Sequence, residues 1–191
     1  MIAGHFGFAA GVKAREKQVP LWALMLATVW LDVVFVPLFL AKIETVVPAE
    51  GDKAGYGNAI IHADYTHSLV GALILAAIFG GVSAWAWGKR TGVVLGLVVF
   101  SHWVLDLLVH RMDMPVLPGD LGNLPRFGFG LWQIPWLSAL VELVLVVLGA
   151  FLYWRAVPRT GPGASRGRLV AVLILLGGVA TLALDVTGLL G

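Results

Sequence analysis

From Thr91 to His110 the chain reads TGVVLGLVVFSHWVLDLLVH, twenty residues without a lysine or an arginine. A helix of roughly 20 apolar residues crosses a hydrocarbon core about 30 Å thick, so this stretch predicts a membrane span. Its polar residues are not scattered. His102, Asp106 and His110 recur at i, i+4 and i+8, within about 80° of one another around a helix, and Asp113 returns to about 20° from His102 if the helix runs on. One stripe of an otherwise apolar helix is thus built from side chains that ligate metals.

Four further stretches of similar character flank it, from Pro20 to Leu40, Thr66 to Gly88, Leu131 to Trp154 and Leu169 to Leu190. With 59% hydrophobic and 13% charged residues, the 191-residue chain does not have a soluble composition. The connections are short, which predicts adjacent antiparallel helices, whereas a β-barrel needs alternating segments of about 10 residues. The expected fold is all-α, a single integral-membrane domain over residues 1–191 with about five transmembrane helices. The stretch from Met1 to Val12 is too short to span. No basic region precedes it, and Lys13, Arg15 and Lys17 follow it, so it reads as an interfacial or re-entrant helix carrying His5 and not as a signal peptide.

Cysteine is absent, which excludes disulfides, thiolate ligands and a cysteine nucleophile; any metal must take nitrogen and oxygen ligands. The formal charge of +2 does not point to nucleic acid, because the basic residues sit in short segments beside spans. The expected partner is the lipid bilayer; oligomeric state is not legible. Nine lysines and arginines lie on one side, in the segment before span one, the turn at Lys89 and Arg90, and the loop from Arg155 to Arg168. Only Lys42, Lys53, Arg111 and Arg126 lie on the other. This asymmetry predicts a cytoplasmic N-terminal basic segment and an external C-terminus, the arrangement of a bacterial inner-membrane protein.

Asp32, Asp106, Glu142 and Asp185 lie within spans that hold no lysine or arginine to pair with them. A central Asp costs about 2.5 to 3.5 kcal/mol, which protonation, a hydrated cavity or a bound cation must offset. A second cluster, His62-Ala63-Asp64-Tyr65-Thr66-His67-Ser68, sits where the chain enters span two from outside. If that segment is helical, His62 and His67 project in similar directions; if extended, they can still converge on one ion. With a rise of about 1.5 Å per residue, Asp32, His102, Asp106 and Asp185 fall in the outer half of the bilayer and Glu142 near its midplane.

Thr66 and Ser68 read as helix caps in preference to nucleophiles. Trp22, Trp30, Trp103, Trp132, Trp136 and Trp154 mostly fall near span ends, where an aromatic belt accounts for them. Gly80-Gly81 and Gly177-Gly178 suit close helix approach, and Pro118-Gly119-Asp120 and Pro162-Gly163 read as turns. Glu142 fits a proton relay, a partner to a ligand histidine, or a neutral glutamic acid.

The sequence resembles the YdjM-like family of membrane proteins, described as membrane-bound metal-dependent hydrolases. The resemblance rests on Gly4-His5, Asp32, His62-x-x-x-Thr66-His67-Ser68 and Ser101-His102-x-x-x-Asp106. That family is similar in motif order to zinc-dependent phospholipase C and P1 nuclease, which hydrolyse phosphate esters. The resemblance implies His5, Asp32, His67, His102 and Asp106 as ligands, with Asp106 as a bridge, and His62 stands beside them in the loop cluster. Ala63 and Asp64 replace the family's usual Arg and Gly, the first-span motif is reduced to Asp32, and no second His-x-x-x-Glu follows. One or two ions, Zn²⁺ or a similar divalent metal, fit this pattern better than three.

The expected function is therefore hydrolysis of a phosphoester, such as a lipid headgroup, at a site facing the outer side. Asp64, His110 and Asp113 are the candidates for general base or for orienting a ligand. The competing expectation is a cation or proton transporter, or a metal-binding membrane protein without hydrolytic activity, for which Glu142 is the supporting residue.

Overall fold

A computed structural model describes residues 1–49 and 57–187. Among these are seven α-helices and one small hairpin: α1 (Ile2–Arg15), α2 (Leu21–Thr28), α3 (Trp30–Leu40), β1 (Thr45–Pro48), β2 (Ala59–His62), α4 (Leu69–Trp87), α5 (Lys89–Val109), α6 (Pro135–Ala156) and α7 (Ala164–Thr187). Helices α4, α5, α6 and α7 are each long and apolar enough to cross a membrane, and the α2–α3 pair makes a fifth if counted as one bent span. Lys53 and the expected end of the last span at Leu190 lie outside the described residues.

The first expected span is broken. Val29 leaves helical geometry at φ −115° and ψ 15°, and α2 and α3 meet at 48°. The break turns the Thr28 carbonyl out of the helical ladder, where it accepts a hydrogen bond from His102 Nδ1 at 2.7 Å. Nothing in the apolar pattern marks this position, because the break is compensated by a residue far away in sequence.

The N-terminal segment does not lie apart from the bundle. α1 has Ala3, Gly4, His5, Gly7, Ala9 and Ala10 buried, and it packs chiefly on α6. Gly7 and Gly149 make this possible: a Cβ on Gly149 would run into the Gly7 carbonyl oxygen, and one on Gly7 would meet the Leu145 backbone. Small residues let the two backbones approach as side chains would not. Glu142, on α6, accepts the Gly4 N–H at 3.1 Å and so satisfies one of the first-turn donors of α1.

Helices α4 and α5 also pack closely, through Ala76, Gly80, Ala84, Gly92 and Gly96. Of the expected close-approach glycines, Gly80 and Gly178 are crowded, whereas Gly81 and Gly177 face open space. Gly88 alone joins the two helices, at φ +90°, a conformation that favours glycine. Glu16 and Arg90 pair at 3.2 Å, tying the α1–α2 turn to the α4–α5 turn at this basic end.

At the opposite end the 111–134 segment folds over the bundle. Ser68 caps α4 by accepting the Gly71 N–H at 3.0 Å, and the Pro115 and Val116 carbonyls accept from Leu69 and Val70. Three first-turn donors of α4 are thereby satisfied. Arg126 ties this cover to the turn before α4 by donating to Asp64 at 3.0 Å, and braces it internally by donating to Asp120 at 2.9 Å and to the Asp113 carbonyl at 3.0 Å. Partial burial works against the charge on Arg126, but the hydrogen bond to Asp120 and the charge of Asp64 outweigh it and raise its pKa.

Candidate metal centre

The elements converge on a cluster under that cover. α1 delivers His5, the start of α3 delivers Asp32, the turn before α4 delivers His67, and α5 delivers His102 and Asp106 from within its last two turns and His110 at its C-cap. All but Asp32 are buried. The Asp32 side chain is 36% exposed, so the cluster opens on that side.

Three ligand atoms form a nearly equilateral triangle. His67 Nε2 and His102 Nε2 are 3.2 Å apart, Asp32 Oδ1 lies 3.5 Å from His102 Nε2, and it lies 3.6 Å from His67 Nε2. Adjacent ligands of a tetrahedral zinc with bonds of about 2.0 to 2.1 Å are about 3.3 Å apart, so these edges suit one face of such a polyhedron. Asp106 Oδ2 lies 2.9 Å from His102 Nε2 and 3.7 Å from His67 Nε2. His5, His102 and Asp106 make a second group, with His5 Nε2 3.1 Å from Asp106 Oδ1. Both groups of ligand atoms are compact enough to hold a metal ion.

The tautomers follow from the partners. His102 Nδ1 faces a carbonyl oxygen, which only accepts, so that nitrogen carries hydrogen and Nε2, 2.9 Å from Asp106 Oδ2, is the nitrogen that a cation would use. Thr66 Oγ1 donates to the Glu44 carboxylate at 2.9 Å and therefore accepts from His67 Nδ1 at 2.9 Å. His67 Nε2 is again the free nitrogen. His110 Nδ1 donates to Asp113 at 2.9 Å, and its Nε2 lies 3.8 Å from Asp106 Oδ2. Each of these three imidazoles thus has its outer nitrogen committed and its inner nitrogen available, the arrangement by which partners orient ligand histidines. Since His102 has one free nitrogen, it serves one ion; a second would depend on Asp106 bridging, one oxygen toward His5 and the other toward His102.

Glu44 is the residue that sequence reading missed. It is fully buried and also accepts the Tyr65 and Thr66 N–H groups, each at 2.8 Å. In sequence it is an ordinary loop glutamate; its role arises only when the hairpin brings it under Thr66. Trp103 was assigned to an aromatic belt, but it is buried and donates to the His67 carbonyl at 2.9 Å, which fixes the backbone beside the ligand.

The remaining expected residues separate. Asp113 orients His110 and accepts the Ile61 N–H at 3.1 Å. Asp64 is held by Arg126 in the cover and does not join the cluster. His62 falls in neither ligand group. It is extended on β2, paired opposite Thr45, and its neighbour Ile61 lines the pocket, so alternation along the strand turns His62 to the other face. Thr66 serves the relay to His67, and Ser68 alone is the cap.

A pocket of about 160 Å³ reaches the cluster, with Asp32, His67, Asp106 and His110 on one side and Phe35 and Trp132 among its apolar walls. The Trp132 ring lies tilted against His110 with centroids 4.5 Å apart, and its buried Nε1–H has no partner among the described residues. No family model matches the chain, and neither curated proteins nor solved structures give a match.

Proposed function

We propose that this chain is a membrane-embedded metal-dependent hydrolase acting on a phosphoester, such as a lipid headgroup. The single observation that carries the reading is the facing pair of His67 and His102, whose Nε2 atoms meet at 3.2 Å while both Nδ1 atoms are engaged outward. Two imidazole nitrogens at that distance, beside the Asp32 and Asp106 carboxylates, suit a shared cation.

Asp32, His67, His102 and Asp106 would hold one divalent ion such as Zn²⁺, and His5 with Asp106 would contribute to a second. A metal in such a site supplies positive charge for a phosphoryl oxygen and acidifies water in its coordination sphere. The chain's own residues account for the rest. His110 lines the pocket with Nε2 free to take a proton, and Asp113 on its Nδ1 would stabilise the resulting imidazolium. The indole N–H of Trp132 provides a donor for a substrate oxygen, and Phe35 and Trp132 suit the apolar part of a lipid.

The charge asymmetry supports an orientation with the pocket end on the outer side of a bacterial inner membrane and the basic end in the cytoplasm. A transport pathway would rest on Glu142, which is engaged with the Gly4 N–H, and this favours the hydrolytic reading. The test is a phosphoester screen with metal-loaded protein in detergent, including lipid substrates. Hydrolysis by the native chain, lost in His110→Ala with metal retained, is expected. Inactivity toward every phosphoester in a preparation shown to hold its metal would overturn the proposal.

A further inference from the structure

The turn between α6 and α7 has chemistry unrelated to the metal centre. Arg155, Arg159, Arg166 and Arg168 fall within fourteen residues, and no acidic residue lies between Glu142 and Asp185. None of the four arginines pairs with a carboxylate among the described residues. Three of them line a pocket of about 330 Å³ together with Trp154 and Val157.

Uncharged neighbours contact the guanidinium groups of Arg155 and Arg168. Arg168 donates to the Arg159 carbonyl at 2.8 Å, and its guanidinium lies 5.7 Å from the centre of the Trp154 ring. Arg155 lies 5.8 Å from the Phe151 ring. These contacts leave the charge unneutralised, so the forked donors remain for an anion.

The flanking surface says which anion. α6 is about 33 Å long at 1.5 Å per residue, so the pocket lies at the far end from the metal centre. Both helices that form it are long and apolar enough to span a membrane. Beside the pocket they expose Phe151, Leu152, Leu169 and Leu173. A cationic pocket at the end of an exposed apolar helix pair matches a molecule that is anionic at one end and hydrocarbon at the other.

We propose that this pocket binds the phosphate of an anionic phospholipid headgroup, with the acyl chains lying along α6 and α7. The site is separate from the hydrolytic one and takes its lipid as a bound ligand, not as a substrate.

Native mass spectrometry of the full chain, released from mild detergent with equimolar phosphatidylglycerol and phosphatidylcholine, tests this. Preferential retention of phosphatidylglycerol, not displaced by millimolar inorganic phosphate, is expected. At about 1 kcal/mol per basic residue, the R159Q/R168Q double variant should lose that preference by roughly 30-fold, and Arg166→Gln, outside the pocket, should keep it. If the double variant does not fold, Arg159→Gln alone should show a fall of about fivefold. Equal retention of the two lipids, a pocket variant that retains as much as the native chain, or displacement by inorganic phosphate would overturn the proposal.

Discussion

His67 Nε2 and His102 Nε2 lie 3.2 Å apart, and each ring has given its other nitrogen to an acceptor outside the cluster. The two tautomers are set by chemistry remote from each other, a carbonyl freed by a helix break for His102 and a hydroxyl pinned by a carboxylate for His67. Both nitrogens also face the carboxylates of Asp32 and Asp106, a donor set compact enough to hold a cation.

The relay from Glu44 through Thr66 to His67 predicts an effect on metal affinity from residues that touch no metal. Replacing an outer partner of a ligand histidine typically costs 10 to 100-fold in affinity. Thr66→Val, which keeps the volume and removes the hydroxyl, should weaken metal binding by about that factor in a chelator competition. Glu44→Ala should do the same and also lower thermal stability, because the buried Thr66 N–H loses its acceptor at about 1 to 3 kcal/mol and the part-buried Tyr65 N–H loses its own. Unchanged affinity in both variants would mean that the relay does not tune the site.

Glu142 separates a structural role from a proton pathway. The amide oxygen of Glu142→Gln can still accept the Gly4 N–H, so this variant should retain fold, metal and activity. Glu142→Leu removes the acceptor and should destabilise the protein by about 0.5 to 2 kcal/mol, the range for a lost helix cap. Thermal melts in detergent read the difference. Loss of function in the Gln variant at full metal content would favour proton transfer through this residue.

The approach of α1 to α6 predicts an asymmetry between two glycines. Gly149→Ala places a methyl against the Gly7 carbonyl and should cost about 1 to 3 kcal/mol, an overpacking penalty, while shifting the helix that carries His5. Gly81→Ala meets nothing within 4 Å and should be neutral or slightly stabilising. Equal melting temperatures for the two variants would contradict this packing.

Arg126 fastens the cover to the turn before α4 through Asp64 and braces the cover internally through Asp120 and the Asp113 carbonyl. Arg126→Met should increase hydrogen exchange in the 111–130 segment while leaving metal content unchanged, since neither Arg126 nor its partner Asp64 belongs to the ligand groups. Exchange equal to that of the native chain would show that the cover is held by other contacts.

The long apolar stretches were legible because span length is a direct requirement of bilayer thickness, and the His102, Asp106 and His110 stripe was legible because helical periodicity places those residues together. Their association with His5, Asp32 and His67 was suggested by motif order. What sequence did not reveal depends on tertiary approach. The break at Val29 has no proline or glycine to announce it and is sustained by His102, 73 residues on. Glu44 became important only through the hairpin, and His62 was turned away by a strand alternation that a short loop segment does not advertise. α1 read as an interfacial or re-entrant helix on length alone, because the glycines that seat it act through a helix far along the chain.

The most direct test of the metal centre is elemental analysis of the purified full chain in detergent, beside His102→Ala and Asp106→Ala, with folding of each checked by circular dichroism. The arrangement of ligands predicts about one or two divalent ions per native chain, in line with the number of groups that converge, and their loss in both variants. A native chain that takes up no metal under saturating conditions, or variants that hold as much as the native chain, would contradict it.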